Sequence, residues 1–267
     1  MIYFLIILAI FVFLILLYSL VLVRPKKHKT INNKLLCNYA HRGLHGGNIP
    51  ENSMAAFSRA VENGYGIELD VQLSKNKNVM VFHDYTLNRM TGIDKKLCES
   101  DSEELQKLTL NGTNETIPTF KQVLELVNGK VPLLVELKGE NLDTALCEKV
   151  AHILREYNGD YCIESFNPLL IKAIKKHLPN AFCGQLYTNV CRDKKKYSVL
   201  NIVLSFMAFN FLAKPNFIAF NQKDRNSIPV ILTTKLYKAP KFVWTITNKN
   251  DFDKALENQE CAIFEKI

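Results

Sequence analysis

Residues 38–92 read NYAHRGLHGGNIPENSMAAFSRAVENGYGIELDVQLSKNKNVMVFHDYTLNRMTG. The pattern runs strand, polar loop, amphipathic helix, strand, short turn, strand. Side chains alternate along a strand with period two, so Cys37, Tyr39 and His41 share one face of the first. Glu68 and Asp70 point the same way on the second, and Val79, Val81 and His83 share a face of the third. Met54, Phe57, Val61 and, one residue off the stripe, Ala60 give the helix its apolar face, with Asn52 or Ser53 as its cap. Two histidines and two carboxylates therefore fall at or near the carboxyl ends of consecutive strands.

Downstream, strand-like runs recur at Val131–Lys138, Tyr161–Phe166, Ala181–Tyr187, Phe217–Asn221 and Phe242–Thr247. On the first of these, Leu134, Glu136 and Lys138 share a face. Helical patterns separate the runs. One opens at Ile117-Pro118-Thr119 with Phe120, Val123, Leu124 and Val127 as its stripe; others span Leu142–Tyr157, Pro168–His177 and Asp251–Asn258. Eight strands alternating with helices predict an α/β fold, a (β/α)8 TIM barrel over residues 35–267, a length close to the ~250 residues typical of that fold. Tyr85–Thr116 is polar and predicts a loop with one short helix near Glu103–Leu105. The chain's end, Phe264–Ile267, reads as an abbreviated closing segment after the last strand.

The first 23 residues carry no charged side chain and are almost wholly apolar, long enough for a helix to cross ~30 Å of hydrocarbon. A signal peptide would have a basic region before the apolar run and a small-residue cleavage site after it. Here Arg24, Lys26, Lys27 and Lys29 follow the run instead. Residues 1–23 are therefore expected to be a retained single-pass transmembrane helix in the cell membrane, and residues 24–34 a basic linker. The basic flank favours a cytoplasmic barrel, with a reversed, extracellular arrangement as the competing reading. A net charge of +8 suits an anionic membrane or a phosphate substrate, and no nucleic-acid motif is present. Seven scattered cysteines without a CxxC argue against a disulfide framework and for a reducing compartment. Tyr197–Ala213 is apolar on nearly every side and follows Arg192, Lys194, Lys195 and Lys196. A helix buried under the barrel rim is favoured there over a surface helix dipping into lipid.

The succession HRG, PEN, ELDVQLS, VFHD, LNRMTG and VELK resembles the glycerophosphodiester phosphodiesterase family. The resemblance is strong up to Gly139 and weaker beyond. It implies a (β/α)8 barrel that hydrolyses glycerophosphodiesters to glycerol 3-phosphate and an alcohol. It also implies Glu68, Asp70 and Glu136 as metal ligands, and His41 and His83 as the general acid and base. An all-oxygen donor set favours a hard divalent cation, Mg2+ or Ca2+. Arg42 and Lys138 are candidate phosphate contacts, with Arg42 divided evenly between that role and anchoring the loop through Glu51. Trp244 matches a family tryptophan lining the glycerol pocket, and Phe166 in Ser165-Phe166-Asn167-Pro168 resembles another wall residue; a plain core role for Phe166 is equally open. Thr247 stands where the family carries asparagine.

Two rivals remain. One is a hydrolase of lipid phosphodiesters, of phospholipase D or lysophospholipase D type, which the anchor and the Tyr197–Ala213 stretch favour. The other is a non-catalytic, membrane-tethered phosphodiester binder, which the presence of all five chemistry-bearing residues disfavours.

Overall fold

A computed structural model describes residues 1–139 and 144–265. Nine strands form one sheet: β1 (Tyr39–Ala40), β2 (Gly66–Leu73), β3 (Val79–Val81), β4 (Leu133–Leu137), β5 (Tyr161–Ser165), β6 (Phe182–Tyr187), β7 (Phe217–Asn221), β8 (Lys241–Ile246) and β9 (Cys261–Phe264). Eight of them are parallel neighbours, and β1 pairs with both β2 and β9, which closes the barrel.

The predicted barrel is present, but one of its eight strands is not the predicted one. Val79–Val81 runs antiparallel to Val71–Leu73, as a hairpin arm at the end of β2, outside the parallel ring. The eighth barrel strand is Cys261–Phe264, in what the sequence reading took for an abbreviated tail. Apolar alternation does not encode strand direction, so a hairpin arm and a barrel strand look alike in sequence.

Inside the barrel, Tyr39, Leu134, Cys162, Phe182, Phe217 and Phe242 form a packed plug, with the Phe217 and Phe242 rings 4.3 Å apart. Gly184 makes room for it: a Cβ there would meet the Phe217 ring at 2.0 Å. Around the barrel, Phe120–Val127 buries its predicted stripe of Phe120, Val123, Leu124 and Val127, with a Thr119–Gln122 capping box at its start. The helix Met54–Glu62 is capped by Ser53, not Asn52. The helix expected at Leu142–Tyr157 is found at Ala145–Arg155, and the proposed start at Leu142 lies outside the described residues. Between Tyr85 and Thr116 there are three short helical turns rather than one, gathered around a small cluster of Met90, Leu97, Leu105 and Leu110. None of the seven cysteines is in a disulfide.

Ile2–Leu22 is one helical stretch of 21 residues, long and apolar enough to cross a membrane. No residue of Ile2–Leu17 is buried. The following segment is not a loose tether. Val23 is fully buried, and Asn210 Nδ2 donates to its carbonyl at 2.9 Å. Lys26 N–H donates to the Pro215 carbonyl at 2.7 Å, and the Lys26 carbonyl accepts from Asn216 Nδ2 at 3.0 Å. Ile31 and Leu35 then close the amino end of the barrel plug. The Tyr197–Ala213 stretch is also not one buried helix. It is two short helices, Val199–Ser205 and Asn210–Ala213, with Tyr197 and Val199 each 80% exposed.

Candidate active site

The alternation along β2 places Glu68 and Asp70 on the inner face, and the parallel register sets Asp70 level with Glu136 on β4. One carboxylate oxygen from each of Glu68, Asp70 and Glu136 lies within 4.8 Å of the others. All three side chains are buried. Burial, and then the neighbouring Asp70, Glu136 and Glu164 charges, push the Glu68 carboxyl well above the carboxylate range. Glu136 is raised to about 7, by burial first, against the pull of Lys138. Burial also opposes the ionisation of Asp70, but Lys138, His83 and Arg42 outweigh it and hold that carboxyl below its usual range. Three clustered acids that cannot all ionise unaided form a site for a positive charge.

Lys138 supplies part of that charge, with Nζ 2.7 Å from Glu136 Oε1 and 3.1 Å from Asp70 Oδ1. Glu68 Oε1 has no hydrogen-bond partner among the described residues, although it is buried. A buried carboxylate oxygen without a donor is the donor chemistry a hard cation takes, so these residues fit a divalent ion of the Mg2+ or Ca2+ type.

His41 follows β1 directly. Its Nε2 is 3.8 Å from Glu68 Oε2, and its Nδ1 is 2.5 Å from Glu265 Oε1. His83 sits in the loop after β3 rather than on the strand, and its Nδ1 is 2.5 Å from Asp84 Oδ1. Each imidazole thus has Nδ1 engaged by a carboxylate, which assigns the proton there and leaves Nε2 available. Burial lowers the pKa of both rings, so both rest neutral near pH 7. Asp70 pulls His83 the other way, so the ring feels the acidic cluster.

Arg42 makes the loop-anchoring contact to Glu51 considered for it, and its guanidinium also faces the acidic cluster. Its backbone is left-handed, φ 56°, which turns the residue out of the strand alternation. The guanidinium reaches Glu51 at 2.8 Å and Asp70 at 3.5 Å, while its backbone N–H donates to Glu68 Oε2 at 2.8 Å. Trp244 and Phe166 meet edge to face, with centroids 5.5 Å apart, and Trp244 Nε1 donates to the Ala219 carbonyl. Phe166 is 41% exposed, which rules out the plain core reading and makes it a rim residue.

Four participants escaped sequence reasoning. Asn52, also left-handed, donates to Asp70 Oδ2 at 2.8 Å and so belongs to the site rather than to the helix cap. Gln72 Nε2 lies within 3.1 Å of the carbonyls of Phe82, His83 and Asp84, and so holds the loop that carries His83. Its place at i+4 from Glu68, on the same strand face, was the available signal. Glu265 follows β9 and was hidden with it. Glu164 pairs in register with Glu136, and burial, then Glu136 and Asp70, push its carboxyl well above the usual range.

The sequence model of the glycerophosphoryl diester phosphodiesterase family matches residues 41–264. The chain belongs to that family. Among its family relatives is a glycerophosphodiester phosphodiesterase of Caldanaerobacter subterraneus subsp. tengcongensis, 32% identical over 229 residues, which are 82% of this chain and 88% of that protein. A lysophospholipase D of Rattus norvegicus is 31% identical over 162 residues, 56% of this chain and 49% of that protein. In structure, the family fold recurs in an Oleispira antarctica phosphodiesterase in complex with the product sn-glycerol-3-phosphate, with TM-score 0.69, 24% identity, 86% of this chain and 92% of that one covered. As a family member, this chain is a phosphodiesterase.

Proposed function

We propose that this chain is a membrane-anchored, metal-dependent glycerophosphodiester phosphodiesterase in which His41 and His83 exchange the protons. One observation carries the reading: three buried carboxylates converge within 4.8 Å, and a neutral imidazole nitrogen lies 3.8 Å from one of them. A divalent ion held by Glu68, Asp70 and Glu136 would neutralise a phosphodiester's charge and make phosphorus accessible to attack.

The chain's own residues supply the rest. The free Nε2 of one histidine takes the proton of the attacking hydroxyl, and the other ring enters turnover as the imidazolium, a form the bound phosphodiester's negative charge favours, and gives its Nε2 proton to the leaving oxygen. Arg42 and Lys138 add fixed positive charge at the edge of the acidic cluster. Trp244 and Phe166 provide the apolar wall against which a glycerol moiety rests.

The experiment is glycerol 3-phosphate release from a panel of glycerophosphodiesters, with Mg2+ or Ca2+ added back after chelation. His41→Ala and His83→Ala should each lower kcat by ~10²–10⁴-fold. Chelator-insensitive turnover retained in both variants would overturn the mechanism.

The membrane half of the proposal rests on the 21-residue apolar helix and the basic residues after it, which favour a cytoplasmic barrel. Protease protection of the barrel in intact cells, and its loss on permeabilisation, checks that orientation.

A further inference from the structure

A cavity of about 430 Å³ opens on the amino face of the barrel, where the chain enters β6 and β7. Its charge comes from three separate segments. Lys26, Lys27 and Lys29 belong to the linker, Lys172, Lys175 and Lys176 to the helix Pro168–His177, and Lys214 follows the helix Asn210–Ala213. Elsewhere Lys34, Lys95, Lys138 and Lys249 each face a carboxylate. Among the described residues none of the seven lysines around this cavity does so, and no acidic side chain lines it. Seven positive charges without a counter-charge repel one another around a single concavity. Cations in the last turn of a helix offset its carbonyl dipoles, which accounts for Lys175 and Lys176. It does not account for Lys172, because like charges four residues apart, as in Lys172 and Lys176, destabilise a helix. Nor does it account for the linker lysines.

Hydrogen bonds hold the three segments in place. Asn216, which is buried, donates from Nδ2 to the Lys26 carbonyl at 3.0 Å and accepts at Oδ1 from the Cys183 N–H at 3.1 Å. His28 bridges the linker to the turn before β6, with Nδ1 2.7 Å from the Thr30 carbonyl and Nε2 3.1 Å from the Asn180 carbonyl. Lys175 is half-buried, and its Nζ donates to the Lys214 carbonyl. An ammonium has three N–H donors, so two of them remain for a ligand. Burial first, and the Lys26 and Lys214 charges with it, lower the Lys175 pKa to about 8. The ammonium therefore stands where its charge is disfavoured until an anion joins it.

We infer that this cavity binds a phosphate-bearing anion with at least two negative charges, held between Lys175 and Lys214 and the lysines of the linker. Lysine presents a compact point charge that suits phosphate oxygens, and several lysines need an anion of several charges. A concavity of this size takes a small anion rather than an extended surface. The apolar helix ends at Leu22, just before the linker lysines, so the phosphomonoester head group of a lipid is in reach as well as a dissolved diphosphate. Either would fasten the linker to two helices of the barrel, on the face opposite the catalytic mouth. None of these lysines belongs to the catalytic machinery, so anion binding and turnover stand or fall separately.

The test titrates the full chain in neutral detergent with inorganic pyrophosphate, by calorimetry, with a chelator present to remove divalent ions. Binding should be saturable and at least ~10-fold weaker in Lys175→Gln/Lys214→Gln, which loses two charge-assisted contacts. Pyrophosphate should raise the Tm of the unmutated chain and not that of this variant. Lys172→Gln/Lys176→Gln, at exposed positions, repeats the test without touching the bond between Lys175 and Lys214 and should also weaken binding. Lys194→Gln/Lys195→Gln/Lys196→Gln removes more charge from another part of the surface and should leave the affinity within ~2-fold, because distant charges are screened. Absence of saturation by ~10 mM, or an equal loss of affinity in the Lys194–Lys196 variant, would overturn the inference. Nanodiscs decide the source of the anion. Phosphatidic acid should weaken pyrophosphate binding at least ~10-fold more than phosphatidylglycerol at equal bilayer charge if a lipid head group occupies the cavity, and no more than phosphatidylglycerol if the occupant is a dissolved anion.

Discussion

Glu265 Oε1 sits 2.5 Å from His41 Nδ1, joining the two ends of the barrel across 224 positions of sequence. The carboxylate is itself held below its usual range by His41, and then by His45, whose Nε2 lies 3.8 Å away. It fixes which imidazole nitrogen carries the proton and which faces Glu68.

Removing that carboxylate tests the relationship. Glu265→Gln keeps a hydrogen-bonding group but not the charge, and should lower kcat by ~10–100-fold with little change in KM. The acid limb of the kcat–pH profile should shift as well, because the imidazolium loses its stabilising partner. An unchanged pH profile would make Glu265 a merely structural residue.

Gln72 reaches His83 only through backbone. Gln72→Ala leaves three carbonyls around His83 without their shared donor, at a cost of ~1–3 kcal/mol in stability. The kcat should fall while cation affinity, measured by calorimetry, stays within ~2-fold, since Glu68 and Asp70 are untouched.

Glu164 lies level with Glu136 but has one oxygen unpartnered, and its carboxyl is pushed far upward by burial. Burial therefore favours its protonated form. Glu164→Gln, isosteric with that neutral form, should leave thermal stability unchanged or raised and cation affinity within ~3-fold. A loss of ~10-fold or more in affinity would make Glu164 a fourth ligand.

The acidic cluster sets a pH dependence whose sign is the reverse of the usual carboxylate case. Glu68 and Glu136 have folded pKa values above their unfolded ones, Glu136 at about 7. Between the unfolded carboxylate pKa of ~4.3 and the folded values, the folded state binds more protons, so metal-free stability falls as pH rises through that window. A divalent ion binds the ionised form. The increase in Tm on adding Ca2+ should therefore grow from pH 5 to pH 8. Thermal melts with and without the ion across that range check it.

The N-terminal apolar helix divides at Tyr18. No residue of Ile2–Leu17 is buried, so deleting residues 2–17 should leave the Tm of detergent-solubilised protein unchanged. Deleting through Val23 removes a fully buried side chain and the Asn210 bond, and should cost ~2–4 kcal/mol. Equal melting of the two truncations would mean that the docked segment adds nothing to the fold.

The legible part of the site came from period-two alternation and from family motifs. Glu68 and Asp70 must share a face, and Glu136 and Lys138 must share another, whatever the rest of the chain does. The structure brings those four side chains together as that geometry implies. His83 was legible as a residue but not by the reason offered, because it lies past its strand and depends on Gln72 for its place. Asn52 was misread because a cap and a site residue are written with the same amino acid.

Local pattern determined the elements, the apolar span, the barrel class and the acids that converge, because alternation, helical stripes and length act within a few residues. Tertiary structure alone decided which strand closes the ring, that Glu265 meets His41, that residues 24–35 are tied under the barrel, and that lysines of three segments gather at its amino face. Those depend on strand direction and on contacts between segments far apart in the chain, and neither leaves a trace in the order of apolar and polar residues.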